Sequence, residues 1–374
     1  MGRLLIALML FILHVAATFV YYGYVQAHLS DTQFYYYDRF GFSHQGFGLG
    51  TLFVVQATQF LKRTLGATYL DAFLAFQTLG YWGVLMLMRL FQEVEVSLKS
   101  GSMNAPLMLL FLPSLHFWTT APGKDAPLFF AVSLCTWAVM NFGKRLIPFT
   151  IGLIIMVLFR AHIALITVMS LAIAALIHGK MTVGRKFILL TITVAGAVIL
   201  ISAVNSSLNL DVTSSGSLSS FYSERDQIAA SSTGTTSIGN AAYFVRLFSL
   251  LFRPLFVDAS GGFGLIPSVE NLGSIALFAY LLLNWPDVRA LTRHVFYMRF
   301  ALAFTIILLL LLASVNYNVG LGIRQRVMAL PTLLSILVAV WILRQQRLRA
   351  MSSSIAPKFR RPIALNEPAT DSPQ

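Results

Sequence analysis

Long apolar runs constrain this chain more than any other feature. About ten of them follow one another between residues 3 and 344, separated by short polar stretches. Charged residues make up only 11% of the 374 residues, and hydrophobic residues make up 57%. A soluble domain carries roughly 25% charged residues. Because only helices and closed barrels satisfy their backbone hydrogen bonds in lipid, runs of this length predict an all-α, polytopic membrane protein.

The predicted spans differ in length, and several are shorter than the roughly 20 residues that a straight span needs. For this reason, segment 146–179 is predicted either as two spans or as a broken, re-entrant pair. The spans form a single membrane domain over residues 1–345, and the basic, proline-containing tail 346–374 is predicted to be disordered. The ten predicted spans are 3–25, 69–91, 105–120, 126–142, 146–160, 163–179, 187–204, 271–285, 300–314 and 327–344.

The net charge of +13 is distributed unevenly over these spans. With the N-terminus in the cytoplasm, most of the 27 lysines and arginines fall on the cytoplasmic side, as the positive-inside rule requires. Both termini are therefore predicted to be cytoplasmic. The positive charge is explained by topology and by contact with membrane lipids, so nucleic acid is not predicted as a partner.

Two long segments remain on the outer side, at about 26–68 and 205–270. The first contains Ser30–Phe40, in which Asp31 and Asp38 stand among aromatic residues. One interpretation is an interfacial aromatic belt whose carboxylates simply face water. The other is a loop that presents Asp31 or Asp38 to a substrate held at the membrane surface.

Five arginines also fall at the outer surface, where topology does not require them. An ionisable group at membrane depth indicates a functional site by default, and the planar fork of arginine suits carboxylate and diphosphate groups. The alternative is that each arginine extends to a lipid phosphate. Two of them share one face of an amphipathic helix that is predicted to end before a proline. The five are Arg160, Arg246, Arg253, Arg324 and Arg326.

Two shorter motifs add candidate binding residues. Arg160 and His162 join two apolar runs, which predicts that they either cap a tight helical hairpin or line a cavity. The outer connector L-P-S-L-H-F-W-T-T-A-P-G-K-D contains a histidine, a tryptophan suited to sugar stacking, and a lysine–aspartate pair that could instead be a simple surface ion pair. The connector residues are His116, Trp118, Lys124 and Asp125.

The chain contains no zinc-protease, paired-cysteine, serine-hydrolase or nucleotide-binding fingerprint. The glycines of G-F-G-L-G have neither a strand before them nor a lysine after them, so they are not predicted to bind phosphate. No metal site and no cofactor are predicted, and a lipid-linked donor is favoured over a nucleotide-driven reaction.

Several motifs, in this order, resemble the integral-membrane polymerases of bacterial surface polysaccharides, the Wzy/EpsG-like proteins. They are D-x-x-x-Y-Y-Y-D from Asp31, F-W-T-T-x-x-G-K-D, R-A-H, F-R-P and N-Y-N-x-G-x-x-x-R-Q-R. Arg253 and Gly264 also match an R-x10-G spacing of polymerase outer loops. The resemblance extends over residues 20–345, although the long outer segment is shorter than in many members.

The resemblance implies glycosyl transfer between undecaprenyl-diphosphate-linked oligosaccharides at the outer face of the bacterial cytoplasmic membrane. In that reaction Asp31 or Asp38 would be the base, and Arg160, Arg253, Arg324 and Arg326 would hold the departing diphosphate. The implied partners are the lipid-linked oligosaccharides, membrane lipids, and the chain-length regulator and flippase of the same pathway.

Two other functions remain open. A GT-C glycosyltransferase that adds one sugar from a polyprenyl-phosphate donor also carries a carboxylate in the first outer loop, and it would show a single-sugar product. A flippase or transporter of lipid-linked sugars ranks third, because it would need charged groups deep in several spans and reachable from both sides.

Overall fold

The protein is described by a computed structural model in which the regular segments of the described residues are all helical. The described residues are 2–28, 30–39, 41–98, 104–177, 182–184, 241–258, 261–315 and 318–355, with single positions and short pieces between 186 and 238. Most of the predicted span 187–204, most of the outer segment 205–240, and the tail beyond 355 lie outside them.

The described residues include fourteen α-helices. In chain order they are α1 (Gly2–Ala27), α2 (Asp31–Tyr37), α3 (Thr51–Leu65), α4 (Tyr69–Ser97), α5 (Asn104–Leu107), α6 (Pro113–Trp118), α7 (Asp125–Met140), α8 (Leu146–Leu176), α9 (Tyr243–Phe252), α10 (Gly261–Leu283), α11 (Trp285–His294), α12 (Phe296–Val315), α13 (Val319–Arg326) and α14 (Leu330–Ile355).

Six segments among the described residues are long and apolar enough to cross a membrane. They are α1, α4, α8, the 264–283 part of α10, α12, and the continuous segment of α13 and α14 up to Met351. The all-helical prediction is therefore confirmed, whereas a count of ten spans is not. Predicted span 105–120 is divided into α5, a 3-10 turn and α6, and α7 is shorter than a straight span needs.

Helix α8 reverses direction at Arg160. This residue has extended backbone angles (φ −154°, ψ 87°), and the Thr167 hydroxyl donates to the Met156 sulfur at 3.2 Å. Eleven residues of straight helix would separate these two residues by roughly 16 Å. The two halves of α8 therefore fold back on each other, as the hairpin interpretation of the R-x-H motif predicted.

The break in α8 is bridged by a distant part of the chain. The Gly50 backbone N–H, just before α3, donates to the Leu158 carbonyl at 2.8 Å. Gly50 has a φ of 68°, a left-handed conformation that favours glycine. The start of α3 is thus attached directly to the turn that carries Arg160.

Glycines allow the central helices to approach closely. A Cβ built on Gly80 of α4 would lie 1.9 Å from the Thr119 carbonyl oxygen, and one on Gly83 would lie 2.5 Å from the Phe129 ring. A Cβ on Gly152 of α8 would lie 2.5 Å from the Cys135 sulfur. Helices in membranes are held largely by such close packing, because lipid supplies no hydrophobic force between them.

The two ends of the helical bundle carry separate sets of ion pairs. At the end reached by the start of α1 and the end of α4, Glu95 pairs with Arg3 and Glu93 pairs with Arg145. The Gln346 amide donates to the Leu98 carbonyl there, so α14 extends to the same end. Helix α14 continues to Ile355, so its helical structure extends into the segment that was predicted to be a disordered tail. The opposite end is covered by α2 and α3.

Candidate active site at the α2–α3 end

Helix α2 holds Asp31 in place at this end. Ser30 caps the helix by accepting a hydrogen bond from the Thr32 backbone, which leaves Asp31 as the first helical residue. The Thr32 hydroxyl lies 2.6 Å from that of Tyr69, and the Gln59 amide of α3 donates to the Tyr36 carbonyl at 2.7 Å. The tyrosine-rich stretch therefore packs largely against protein, and its start presents a carboxylate.

Four charged side chains from four distant segments meet here. The Arg324 guanidinium bridges two carboxylates, donating through Nε to Asp125 Oδ2 and through Nη1 to Asp31 Oδ2 at 2.8 Å. Arg160 approaches the other oxygen of Asp125, with Nη2 at 3.7 Å. We call Asp31, Asp125, Arg160 and Arg324 the four-charge cluster.

Burial differs sharply within the four-charge cluster. The Asp125 side chain is 5% exposed and those of Arg160 and Arg324 are 14% and 16% exposed, whereas Asp31 is 54% exposed. Asp125 also opens α7, where the partial positive charge of the helix N-terminus stabilises a carboxylate. Two buried guanidinium groups are therefore held by one buried carboxylate, and Asp31 forms the accessible rim.

Lys124 adds a third cation. Its ammonium donates to the Thr51 hydroxyl at the start of α3 at 2.8 Å. Burial, and then the neighbouring Arg160, lower the pKa of Lys124 to about 7, against the opposing effect of Asp125. The side chain is thus poised to change charge close to neutral pH.

Three polar atoms in or beside the cluster have no hydrogen-bond partner among the described residues. They are Arg160 Nε, His162 Nδ1 and Asp125 Oδ1, and all three are buried. Buried polar groups are nearly always paired with protein, water or ligand, so unpaired donors and acceptors mark a place where another molecule fits.

Two further residues line the cluster without having been predicted. The Tyr35 ring and Gly123 lie against Arg324: a Cβ on Gly123 would be 3.4 Å from Arg324 Nη2 and 3.8 Å from the Tyr35 ring. Burial and the nearby Asp31 raise the pKa of the Tyr35 hydroxyl. Tyr35 belongs to the Tyr-Tyr-Tyr run, but the run itself does not reveal which ring faces the charges.

Three predicted clamp or binding arginines have partners outside the four-charge cluster. Arg246 donates to the Ser314 carbonyl at 3.0 Å, and Arg326 donates to the Asn271 side chain at 2.7 Å. Arg253 forms a two-pronged pair with Asp258, at 2.8 and 2.6 Å, which lowers the pKa of Asp258. Among the described arginines, only Arg160 and Arg324 join the cluster.

Asp38 lies at the other end of α2 from Asp31. It ends that helix in a left-handed conformation with φ 47°, and its carboxylate accepts the Ser43 backbone N–H at 3.1 Å. Burial alone would raise the pKa of Asp38, but hydrogen bonds from the Ser43 side chain and backbone hold it below its ordinary value. These contacts give Asp38 a role in fixing the turn after α2.

His116 and Trp118 lie in the packed interior, not in the four-charge cluster. His116 Nδ1 is 3.0 Å from His14 Nδ1, and the second nitrogens of the two rings face the carbonyls of Leu110 and Gln77. At least one Nδ1 must carry a proton for that contact to be favourable. Trp118 packs edge-on against Tyr21, which is itself buried.

No protein-family model, curated protein or solved structure matches this chain. Within the described part of the chain, no group of three or more His, Cys, Asp or Glu side chains is placed to hold a metal ion. The chemistry available at the four-charge cluster is that of buried cations beside one accessible carboxylate. Such cations stabilise phosphate-type anions, and such a carboxylate can accept a proton from a bound hydroxyl.

Proposed function

We propose that the protein is a polymerase of a bacterial surface polysaccharide, either O-antigen, capsule or exopolysaccharide. It would join undecaprenyl-diphosphate-linked repeat units at the outer face of the cytoplasmic membrane. The observation that carries the proposal is that the largely buried Arg160 and Arg324 share Asp125, and that Arg324 also pairs with the accessible Asp31, at one end of the bundle. Buried arginines suit a diphosphate, and the motif resemblance supports a lipid-linked sugar as its carrier.

In the proposed reaction Asp31 acts as general base. It accepts the proton of an acceptor sugar hydroxyl as that oxygen attacks the anomeric carbon of the donor. The bond from the anomeric carbon to the diphosphate oxygen breaks, and its electron pair leaves with the undecaprenyl diphosphate. Arg160 and Arg324 stabilise the charge that develops on this leaving group. Lys124 supplies further positive charge when it is protonated.

The protein has a proposed orientation in the membrane. The four-charge cluster faces outward, and the end with Arg3, Arg145 and Arg347 faces the cytoplasm with both termini, which the positive-inside rule supports. Ten crossings remain part of the proposal, counting the two halves of α8 separately and including shorter helices such as α7. The chain-length regulator and the flippase of the pathway are the proposed protein partners.

Asp31→Asn and Asp38→Asn are the first test, and each is the other's control because both lie on α2. Asparagine cannot accept the acceptor proton, so Asp31→Asn should lower the polymerisation rate by about 100-fold or more. Asp38→Asn should leave polymer length near the wild-type value, since the hydrogen bond described for the Asp38 carboxylate is to Ser43 of its own turn. Polymer length is measured on surface polysaccharide at equal protein level in cells.

The opposite pattern, with normal polymer from Asp31→Asn and none from Asp38→Asn, would reassign the base to Asp38. Polymer length unchanged by deletion of the whole protein would refute the polymerase proposal itself.

Lys124 makes the reaction depend on pH. Burial disfavours its charged form, so Lys124 gains its proton only as the pH falls through about 7. A protonated Lys124 attracts the donor diphosphate, so kcat/KM for the donor should rise as the pH falls from about 8 to 6. Arginine stays charged throughout, so Lys124→Arg should give a profile without this step. A wild-type profile identical to that of Lys124→Arg would contradict the assignment.

Asp31 also supports the second candidate, a GT-C enzyme, because it follows the first span directly. The two functions give different products. A ladder of repeat units from purified protein and lipid-linked donor indicates a polymerase, whereas growth by a single sugar from polyprenyl phosphate indicates a GT-C transferase.

A further inference from the structure

A cleft of about 300 Å³ opens at the end of the bundle opposite the four-charge cluster. One wall is α11, which contributes Trp285, Arg289 and Arg293 at helical spacing. The other wall is formed by Ile177 at the end of α8 and Leu302 of α12. The cleft thus combines basic and apolar side chains, and the proposed reaction does not use it.

Arg289 and Arg293 are exposed and form no ion pair among the described residues. They are four residues apart, so they point to the same side of α11. The acid on this helix, Asp287, is buried and already bound by Arg347. Both arginines therefore present uncompensated positive charge at the cleft.

Arg299 also lines the cleft but has a different role. It is buried, and it donates to the Thr292 carbonyl at 2.8 Å and to the Arg293 carbonyl. These contacts close the C-terminal end of α11 and fix the direction in which the helix leaves the bundle. Arg299 supports the wall and is unsuitable for a binding test.

The rim of the cleft is apolar and exposed. Ile177 is 64% exposed and Trp285 is 44% exposed. Leu282 and Leu283, at the end of α10, are more exposed than either. An amphipathic helix between two membrane-crossing helices, with a tryptophan at its start, is typical of the headgroup level of a bilayer. The apolar side chains fit acyl chains, and the arginines lie where a headgroup phosphate would be.

We propose that this cleft binds an anionic phospholipid. The headgroup phosphate contacts Arg289 and Arg293, and the acyl chains pack on Ile177 and Leu302. Charge complementarity selects an anionic over a zwitterionic headgroup, because no acidic side chain in the described part of the chain pairs with the two arginines. The apolar walls select a lipid over free phosphate, which could not cover them.

The test uses the full-length protein in nanodiscs that contain equal amounts of phosphatidylglycerol and phosphatidylcholine. Lipids retained on the protein after transfer to detergent are counted by native mass spectrometry. Wild-type protein should retain phosphatidylglycerol preferentially, and Arg289→Ala/Arg293→Ala should weaken that retention about 30-fold. Arg39→Ala/Arg63→Ala is the matched control, because it removes two arginines outside the cleft and should retain the lipid as wild type does.

Three results would overturn the proposal. They are equal retention of both lipids by the wild type, unchanged retention by the cleft variant, and release of phosphatidylglycerol by millimolar inorganic phosphate, which would indicate an anion site only. Arg289→Lys/Arg293→Lys keeps both positive charges, so it is the control for misfolding of the alanine variant. It should retain more phosphatidylglycerol than the alanine variant, and retention equal to that of the alanine variant would also contradict the proposal.

Discussion

Arg324→Met is expected to reduce polymer formation by about 100-fold or more, an effect as large as that expected of Asp31→Asn. Arg324 touches both carboxylates of the four-charge cluster and is one of two buried guanidinium groups available to a leaving diphosphate. Removing one preorganised donor to a developing negative charge commonly costs about 10²–10³ in rate. The measurement is the rate of polymer formation from purified lipid-linked donor.

Arg253→Met is the matched control for Arg324→Met. Arg253 is also paired with a carboxylate, Asp258, but it is outside the cluster and nearer to solvent. Its loss should leave the rate within about threefold of wild type, because within the described part of the chain Arg253 pairs with Asp258 and with none of the four charges. An equal loss in both variants would mean that the clamp extends beyond the cluster, as the sequence prediction had it.

A structural effect of Arg324→Met must be separated from a chemical one. Breaking a buried ion pair on one side typically costs about 3–5 kcal/mol, because the remaining charge is left unpaired. The triple variant Arg160→Met/Arg324→Met/Asp125→Leu removes all three largely buried charges of the cluster and should regain stability. It should not regain activity, since the diphosphate still lacks both arginines. Recovery of activity in the triple variant would show that the two arginines only neutralise Asp125.

Gly80→Val should destabilise the protein strongly, and its effect should come from packing alone. Its Cβ would lie 1.9 Å from the Thr119 carbonyl oxygen and 3.0 Å from His14 Nε2, so α1, α4 and the end of α6 would have to separate. Overpacking usually lowers the free energy of unfolding by about 1–3 kcal/mol. We expect the upper end of that range here, because the Thr119 carbonyl oxygen belongs to the backbone and cannot rotate away. The measurement is the temperature at which purified protein loses its monodisperse peak.

Gly23→Val is the control for the change in helix propensity. Gly23 also lies inside a membrane helix, and a Cβ there meets nothing within 4 Å. The melting temperature of Gly23→Val should stay close to that of the wild type. A similar fall in both variants would show that β-branching, and not the contact with Thr119, is responsible.

Local signals in the sequence predicted several elements of the structure correctly. The meeting of two apolar runs at Arg160 predicted the reversal of α8, and Pro254 predicted that the amphipathic helix would end at Arg253. The mixed apolar and polar pattern of residues 51–63 predicts a helix, and the structure has α3 there. Each of these features is decided by neighbours in the chain, which hydrophobic periodicity and proline geometry describe well.

The pairing of the arginines could not be predicted in the same way. Arg324 meets Asp31 across 293 residues and Asp125 across 199, so nothing near Arg324 distinguishes it from Arg326. Arg253 differs, because Asp258 is only five residues away in the chain. The pairing of these two side chains could therefore have been predicted from the local sequence. The contact of His116 with His14 spans 102 residues and could not be predicted from the neighbours of either histidine.

The count of ten spans is not confirmed for a related reason. Hydropathy counts runs of apolar residues, whereas a crossing depends on continuous helix length. Segment 105–120 is apolar throughout but contains two prolines, and it is divided into short helices. Such irregular backbone is tolerated at membrane depth where surrounding protein covers it.

The bond between Gly50 and Leu158 has a consequence for the order of assembly during biosynthesis. The Leu158 carbonyl lies beside the turn at Arg160, and its donor Gly50 belongs to a loop synthesised about a hundred residues earlier. This bond can therefore form only after the α8 hairpin has been made, when the segment before α3 docks on it. The four-charge cluster is complete only when the N-terminal segment that carries Asp31 has packed against α7, α8 and α13. Folding of either of these parts alone leaves the four-charge cluster incomplete.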